Sequence, residues 1–411
     1  MKRPAIDPAL LVILAGVCAA LHVGKLPPAL PVLRDALGVT LLQAGFLLSM
    51  VQLAGMTLGL AVGLTADGFG LRRCMLLGLW TLAAASAAGG WARGAQDLLL
   101  LRALEGFGLL LVALPAPSLI RKLVPMSRLS TMLGLWGAYM PFGSATALLC
   151  GPLVMALIGW QGWWWGLALL SAAMAVGLAA SVPPDGACRS TPGTAGAGPA
   201  AQTVAHLSPW HRRLRQTLSA RGPWLVALSF AVYSGQWLAV IGFLPSIYLQ
   251  AGIGGAAVGL LTALAAAVNI IGNVGSGRLL QRGARPQHLL TIGFTAMSLG
   301  TLMAFALAPG QPLLRYAGVL LFSMVGGMIP GTLFSLAVRL APGDDTISTT
   351  VGWMQQWSAA GQFAGPPLVA WVAGAAGGWQ WTWTVTGACS VIGLALAAQI
   401  ARALRPGDAA Y

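Results

Sequence analysis

The stretch Gly63-Leu-Thr-Ala-Asp67-Gly-Phe-Gly70-Leu-Arg72-Arg73 lies between two apolar runs that are each long enough to cross a membrane. It combines one acid, several glycines and two adjacent arginines in a short segment. Basic residues that flank a membrane span favour its cytoplasmic side. The stretch therefore predicts a tight cytoplasmic loop between two neighbouring membrane helices.

The composition of the whole chain is that of an integral membrane protein. Of its 411 residues, 57% are hydrophobic and 8% are charged, whereas soluble proteins carry about 25% charged residues. A surface with so few charges must face lipid. Apolar runs of spanning length occur at about twelve places, namely 9–31, 41–62, 74–94, 98–120, 129–156, 161–182, 223–249, 256–280, 287–308, 313–338, 347–375 and 379–402. These unbroken runs are unlike the alternating strands, each of about ten residues, that build β-barrels.

The placement of the charges predicts the orientation of the chain. The net charge is +14, from 23 basic and 9 acidic residues. If the N-terminus is cytoplasmic and the spans alternate, most basic residues fall inside, while Arg34, Arg93 and Arg315 fall outside. Both termini are then cytoplasmic by the positive-inside rule. The basic excess thus indicates topology and contact with the lipid bilayer, not nucleic acid, and predicts a multi-pass protein of the plasma membrane, in a bacterium the inner membrane.

One segment, residues 183–222, interrupts the apolar pattern. Its first half is rich in Pro, Gly, Ala, Thr and Ser, the composition of a flexible linker. Its second half, from His206 to Leu218, predicts a short basic amphipathic helix on the inner membrane surface. The segment divides the chain into two bundles of six helices, residues 1–182 and 223–411.

The fourth predicted span contains Arg102-Ala-Leu-Glu105-Gly-Phe-Gly108. A spacing of three residues places Arg102 and Glu105 on one helix face. Because a charge near the bilayer centre costs roughly 2.5–3.5 kcal/mol, the two side chains are expected to neutralise each other or to face water. One hypothesis is that Glu105, the only glutamate of the chain, carries a proton while Arg102 tunes it. The other is a structural ion pair near the outer boundary.

The first predicted span carries a lysine, Lys25, with His22 one turn before it and Pro27, Pro28 and Pro31 directly after it. Prolines leave backbone carbonyls unbonded, which membrane proteins tolerate where the backbone lines a cavity. Lys25 could present a cation to an anionic substrate, with His22 as hydrogen-bond partner or proton acceptor. Alternatively, Lys25 snorkels to the outer headgroups.

The seventh predicted span holds Tyr233 and Gln236, one turn apart, and Trp237. We predict that the first two hydrogen-bond a polar substrate and that Trp237 shapes an apolar wall; lipid packing is the alternative for the aromatic side chains. For Asn269 and Gln362, in later spans, we expect hydrogen bonds between helices.

The sequence has no signature of an enzyme. The four histidines lack metal-ligand spacing and there is no phosphate-binding lysine loop. We therefore expect no enzymatic activity, no metal and no cofactor.

With its apolar runs, the stretch from Gly63 to Arg73 resembles the signature loop between the second and third helices of the major facilitator superfamily. The Arg102–Gly108 segment resembles that family's Arg-x-x-Gln-Gly-x-Gly pattern, with Glu105 in place of the amide. The resemblance implies an all-α fold of twelve helices in two six-helix bundles, a monomer, and transport by rocking of the bundles. It also implies a conformational latch formed by Gly63, Asp67, Gly70, Arg72 and Arg73. The alternative for this segment is a simple positive-inside turn.

Two further stretches carry resemblances. The run from Gly24 to Pro31 resembles the first-helix region of cyanate and 2-nitroimidazole permeases. The stretch from Gly143 to Pro152 resembles a Gly-x-x-x-Gly-Pro pattern of antiporters, and Gly361 to Pro367 is similar. We interpret these glycines as packing hinges, because small residues let helices approach closely.

The favoured hypothesis is a secondary transporter for a small organic or inorganic anion, coupled to protons. Lys25 and His22 would attract the anion, and Glu105 would handle the proton. The alternatives are proton-driven efflux of drugs or metabolites, and a membrane receptor or sensor that does not transport. The direction of transport stays open.

Overall fold

The computed structural model describes residues 7–125, 128, 132, 135–136, 139–185, 210–306, 311–343 and 346–404. Within these ranges the side chains of residues 61–68, 255–256 and 348 are not described. The described chain is helical and contains no strand. This confirms the predicted all-α class.

The first half contains eight described helices. They are α1 Pro8–Gly24, α2 Leu26–Leu37, α3 Leu41–Met50, α4 Leu53–Phe69, α5 Leu71–Gly89, α6 Ala95–Ala113, α7 Ala116–Leu123 and α8 Tyr139–Ser181. The long helix α8 is really two, because Gly159 breaks it with a φ of 73°. This break separates the predicted fifth and sixth spans.

The second half contains nine described α-helices. They are α9 Trp210–Ser219, α10 Arg221–Gln250, α11 Gly255–Ala267, α12 Asn269–Gln281, α13 Pro286–Thr301, α14 Pro312–Gly326, α15 Met328–Arg339, α16 Ile347–Ala375 and α17 Thr382–Ala403. A π-turn, Leu302–Ala306, extends α13, and a 3-10 turn, Trp379–Trp381, precedes α17. Helix α9 lies where the short basic helix was predicted.

Nine helical segments of the described chain are long and apolar enough to cross a membrane. The predicted third and eleventh spans correspond to α5 and α16, which are helical but fall outside that set. The total of twelve crossings, the cytoplasmic location of the termini and the bundle boundaries stay predictions.

The connection between the second and third spans differs from the predicted loop. Helix α4 continues to Phe69 and α5 begins at Leu71, so only Gly70 separates them. No proline stands in this segment to end α4 earlier. Gly70 has a φ of 109°, which a residue with a Cβ atom rarely adopts.

Several membrane helices have a local kink near their middle. The kinks lie at Lys25 between α1 and α2, at Val51–Gln52 between α3 and α4, at Val268 between α11 and α12, and at Gly327 between α14 and α15. Lys25, Val51, Val268 and Gly327 keep right-handed helical φ and ψ angles, so each pair forms one continuous membrane-length segment.

Small residues make close helix pairs in each half. In the first half, α1 packs on α8, where a Cβ on Gly143 would lie 2.6 Å from that of Ala20. In the second half, α10 packs on α16, where a Cβ on Gly365 would lie 2.6 Å from the carbonyl carbon of Gly235. The prediction that these glycines allow close packing is confirmed.

The two halves meet along four main helix pairs: α3 with α16, α4 with α16, α8 with α11, and α2 with α10. In the contact of α3 and α4 with α16, Gln52 Nε2 donates to Gln362 Oε1 at 3.0 Å and Gln356 Nε2 donates to Met56 O at 2.8 Å. Gln362 thus bonds between helices, as expected.

Candidate functional site

A buried cluster of charged side chains lies where the first and fourth spans meet. Lys25 follows α1, whereas Arg102 and Glu105 lie on one face of α6. Lys25 Nζ donates to Glu105 Oε1, and Arg102 Nη1 donates to Glu105 Oε2 at 2.6 Å. Lys25 is 0% exposed and the other two are 1% exposed. One carboxylate therefore bonds two cations inside the protein.

Histidine and hydroxyl groups extend this cluster. His22 Nε2 lies 2.8 Å from Ser171 Oγ, and its Nδ1 lies 3.5 Å from Lys25 Nζ. Lys25 also donates to Ser86 Oγ at 2.9 Å, and Ser86 Oγ donates to the carbonyl of Trp164 at 2.8 Å. The Lys25 ammonium lies 4.6 Å from the centroid of the Trp164 ring, within cation–π range. The three N–H donors of the ammonium thus point to Glu105, Ser86 and His22.

Side chains from neighbouring helices reach the backbone beside Lys25. Arg102 Nη1 donates to His22 O at 2.7 Å, and Trp163 Nε1 donates to Lys25 O at 3.3 Å. Pro27 and Pro28 have no N–H groups, so they leave two other carbonyls, those of Val23 and Gly24, without their helical donors.

The cluster carries one positive charge in excess when His22 is neutral, since Lys25 and Arg102 face only Glu105. Arg102 Nη2 is buried and has no hydrogen-bond partner among the described residues. A buried donor without a partner is costly. The cluster therefore has an unused donor and a net charge that both suit an anion.

A second polar cluster occupies the corresponding place in the other half. Asn269 Nδ2 donates to Tyr233 Oη at 3.0 Å and to Ser323 O at 2.8 Å. Trp237 Nε1 donates to Ser323 Oγ at 3.2 Å, and Gln236 Oε1 accepts from Ser390 Oγ at 3.3 Å. All six residues are neutral.

The two clusters are built on the same plan. In each half, a glycine of the fourth membrane span lies against the kink in the second membrane span. A Cβ on Gly106 would lie 2.8 Å from the carbonyl carbon of Val51, and one on Gly327 would lie 3.0 Å from that of Asn269. His22 and Lys25 have the same spacing as Tyr233 and Gln236. Ionisable groups fill the plan in the first half, and neutral groups fill it in the second.

Comparison with known proteins gives the family. Residues 12–359 match the Major Facilitator Superfamily. The chain belongs to this superfamily. It is therefore a multi-pass membrane transporter and not an enzyme, as predicted. No curated protein matches the chain by sequence.

Solved structures of major facilitator transporters have the same fold. A bacterial homolog of the human lysosomal transporter Spinster, inward-facing and unoccupied, has a TM-score of 0.83 at 15% identity, with 96% of each chain covered. A D-xylose-proton symporter has a TM-score of 0.71 at 15% identity, with 95% of this chain and 96% of that chain covered. At these identities the likeness concerns the fold alone.

The structure brings together four of the predicted site residues of this transporter. His22, Lys25, Arg102 and Glu105 form one buried cluster. The snorkelling alternative for Lys25 is wrong in this conformation, because its ammonium is bonded inside the protein. Tyr233, Gln236 and Trp237 lie in the second half, and no hydrogen bond between described residues joins them to the charged cluster. Their contact with a substrate stays a prediction.

The sequence analysis missed Ser86 and Ser171, which bond directly to Lys25 and His22. Serines at close helix contacts are common in membrane proteins, so the sequence alone offered no signal for them. Within the described ranges, no group of three His, Cys, Asp or Glu side chains is placed to hold a metal ion.

The predicted latch makes contacts that the sequence did not suggest. Asp185, just after α8, accepts from the backbone N–H groups of Arg72 at 2.9 Å and Arg73 at 3.2 Å. Arg72 Nη2 donates to Ala179 O at 2.5 Å, at the end of the same helix. These bonds join the third span to the sixth within one half. The side chain of Asp67 lies outside the described residues, so the latch role stays a prediction.

Replacing Asp185 with alanine is expected to lower the free energy of unfolding by about 0.5–2 kcal/mol. Gly70 precedes α5 and has no side chain to cap it, so Asp185 alone supplies the carboxylate acceptor. Thermal unfolding of the detergent-solubilised protein measures the change. Asp35→Ala, which removes an exposed carboxylate, is the control, and an equal loss in both variants would contradict the cap.

Proposed function

We propose that this transporter carries a small anion together with a proton, and that the anion and the Glu105 carboxylate compete for the same pair of cations, Lys25 and Arg102. In the structure, the Glu105 carboxylate is bonded to both Lys25 and Arg102. Protonation of Glu105 would remove its charge and release both cations. A substrate anion could then take its place.

The observation that carries this proposal is the charge asymmetry between the two halves. The second half fills the same position with Tyr233, Gln236 and Asn269, so packing by itself does not demand ions there. Ionisable groups inside a membrane are costly and usually serve transport or proton transfer. The excess charge is positive, which favours an anion over a cation as substrate.

The coupling between anion and proton follows from thermodynamic linkage. If an anion binds only when Glu105 is protonated, then anion binding raises proton uptake and a lower pH raises anion affinity by the same factor. His22 Nδ1 lies 3.6 Å from Glu105 Oε1, so a protonated His22 is close enough to pass a proton to Glu105 after a small movement. The cluster is closed in this conformation, and the exchange requires an opening of the first half.

The first test is thermal unfolding of the purified protein with sodium salts of nitrate, formate, phosphate and benzoate at pH 6 and pH 8. An anion at 100 times its dissociation constant adds about 2.7 kcal/mol of stability. We expect stabilisation by at least one anion, larger at pH 6. Glu105→Gln should make it independent of pH, and Lys25→Ala should abolish it.

The control variant is Lys122→Ala, which removes an exposed lysine and should leave the stabilisation intact. Flux is then measured in proteoliposomes that contain a pH-sensitive dye; an inward gradient of the stabilising anion should acidify the lumen. Stabilisation only by lipophilic cations, unchanged in Lys25→Ala, would overturn the proposal and favour efflux. Anion binding without flux would favour a receptor.

A further inference from the structure

We infer that α9 is an interfacial helix that binds anionic phospholipid headgroups through Arg212 and Arg215. The inference is independent of the transported substrate, because α9 lies outside the charged cluster. It concerns a segment whose basic residues take no part in the site described above.

The chain holds α9 at the membrane surface. Helix α9 ends at Ser219 and the membrane-length helix α10 begins at Arg221, so one residue separates them. Trp224 Nε1, in the first turn of α10, donates to Leu218 O at 2.8 Å. The end of α9 is thus fixed beside the point where the chain enters the bilayer.

One side of α9 carries an apolar stripe that is exposed at both ends and half-buried in the middle, at Leu214. Trp210, Leu214 and Leu218 follow each other at intervals of four residues, which places them on one side of the helix. Trp210 is 57% exposed and Leu218 is 37% exposed. On a helix joined to a membrane span, the boundary between headgroups and acyl chains is the environment that such a stripe suits.

Basic side chains flank this stripe. His211 and Arg215 are one turn apart, and Arg212 lies next to them; all three are exposed. No described carboxylate lies within ion-pair distance of either arginine. One guanidinium group can donate two parallel hydrogen bonds to a phosphate, and the anionic leaflet of a membrane attracts such cations. An anionic lipid surface therefore complements both the apolar and the charged part of this face.

The side of α9 that packs on the protein adjoins the apolar stripe. Thr217, seven positions after Trp210, is 0% exposed, and α9 packs against α10 and α16. This contact fixes which side of the helix is free. The exposed side chains form one continuous surface on that side, apolar at the edge with Trp210 and Leu218 and basic at the edge with Arg212 and Arg215.

Hydrogen exchange of the full-length protein in nanodiscs tests this inference. Amides of residues 210–219 are expected to exchange roughly thirtyfold more slowly in phosphatidylglycerol-containing discs than in pure phosphatidylcholine, since an anionic surface attracts both arginines. The double variant Arg212→Gln/Arg215→Gln should lose this difference. About 1 M salt should remove it as well, because it shortens the screening length to about 3 Å.

The matched control is Arg282→Gln/Arg285→Gln, which removes two exposed charges from the turn between α12 and α13 and should keep the lipid effect. Trp210→Ser should speed exchange in both lipids. Equal exchange in the two lipids for the wild-type protein would overturn the inference. So would a lipid effect that persists in Arg212→Gln/Arg215→Gln, or one that the Arg282→Gln/Arg285→Gln variant loses to the same extent.

Discussion

Glu105→Gln is expected to destabilise the protein by about 3–5 kcal/mol, the loss typical of a buried ion pair from which one partner is removed. Glutamine is the residue that the family pattern has at this position, so the substitution would be harmless by resemblance alone. Here, however, it would leave Lys25 and Arg102 facing each other without a carboxylate. Thermal unfolding in detergent measures the loss.

A double-mutant cycle separates this charge effect from a packing effect. Lys25→Met alone leaves Glu105 paired with Arg102, so we expect a smaller loss than in Glu105→Gln. The double variant Lys25→Met/Glu105→Gln should recover part of the stability lost in Glu105→Gln, because it leaves one unpaired buried cation, Arg102, instead of two. If the two single losses simply add, Lys25 and Glu105 are not coupled and the cluster has been misread.

The stabilisation of Glu105→Gln by added anions provides a second measurement on this variant. Glu105→Gln keeps both cations free, so an anion that binds them should stabilise this variant more than the wild type at pH 8. This result would connect the stability loss to the proposed site. A uniform loss that no anion reduces would indicate a purely structural role for Glu105.

Gly361→Ala is expected to cost about 1–3 kcal/mol or more, as overpacking of a well-packed contact does. A Cβ at Gly361 would meet the backbone of Ala231, with the carbonyl carbon at 2.7 Å. Backbone atoms of α10 cannot move aside as a flexible side chain does. The variant must therefore move α10 away from α16. This movement should also disturb the contact of α16 with α3 and α4.

Gly374→Ala is the matched control, because Gly374 lies on the same helix with nothing within 4 Å of an added Cβ. Alanine is the better helix former by roughly 1 kcal/mol, so this variant should be neutral or more stable. The melting temperatures of the two variants and their transport rates in proteoliposomes give the comparison. Equal behaviour of Gly361→Ala and Gly374→Ala would show that the helices are not in close contact at Gly361.

The pairing of Arg102 with Glu105 could be predicted from the sequence because both lie on one helix three residues apart. The bond of Lys25 to Glu105 could not, since it joins residues 80 positions apart and depends on how two helices pack. The same holds for Ser171 on His22 and for Asp185 on α5. The connection at Gly70 was mistaken for a loop because glycines and charges are typical of loops, yet only one residue there leaves the helix.

The sequence by itself determined the class of this protein: its apolar runs require a lipid environment, and local spacing sets helix faces and the positions of proline breaks. Only the tertiary structure decided that His22, Lys25, Arg102 and Glu105 form a single cluster, while Tyr233, Gln236 and Trp237 belong to its neutral counterpart. The physical reason is the separation along the chain over which each interaction acts. Hydrophobicity and helix periodicity act over neighbouring residues, whereas the partner of a buried charge is set by the packing of helices that are distant in the chain.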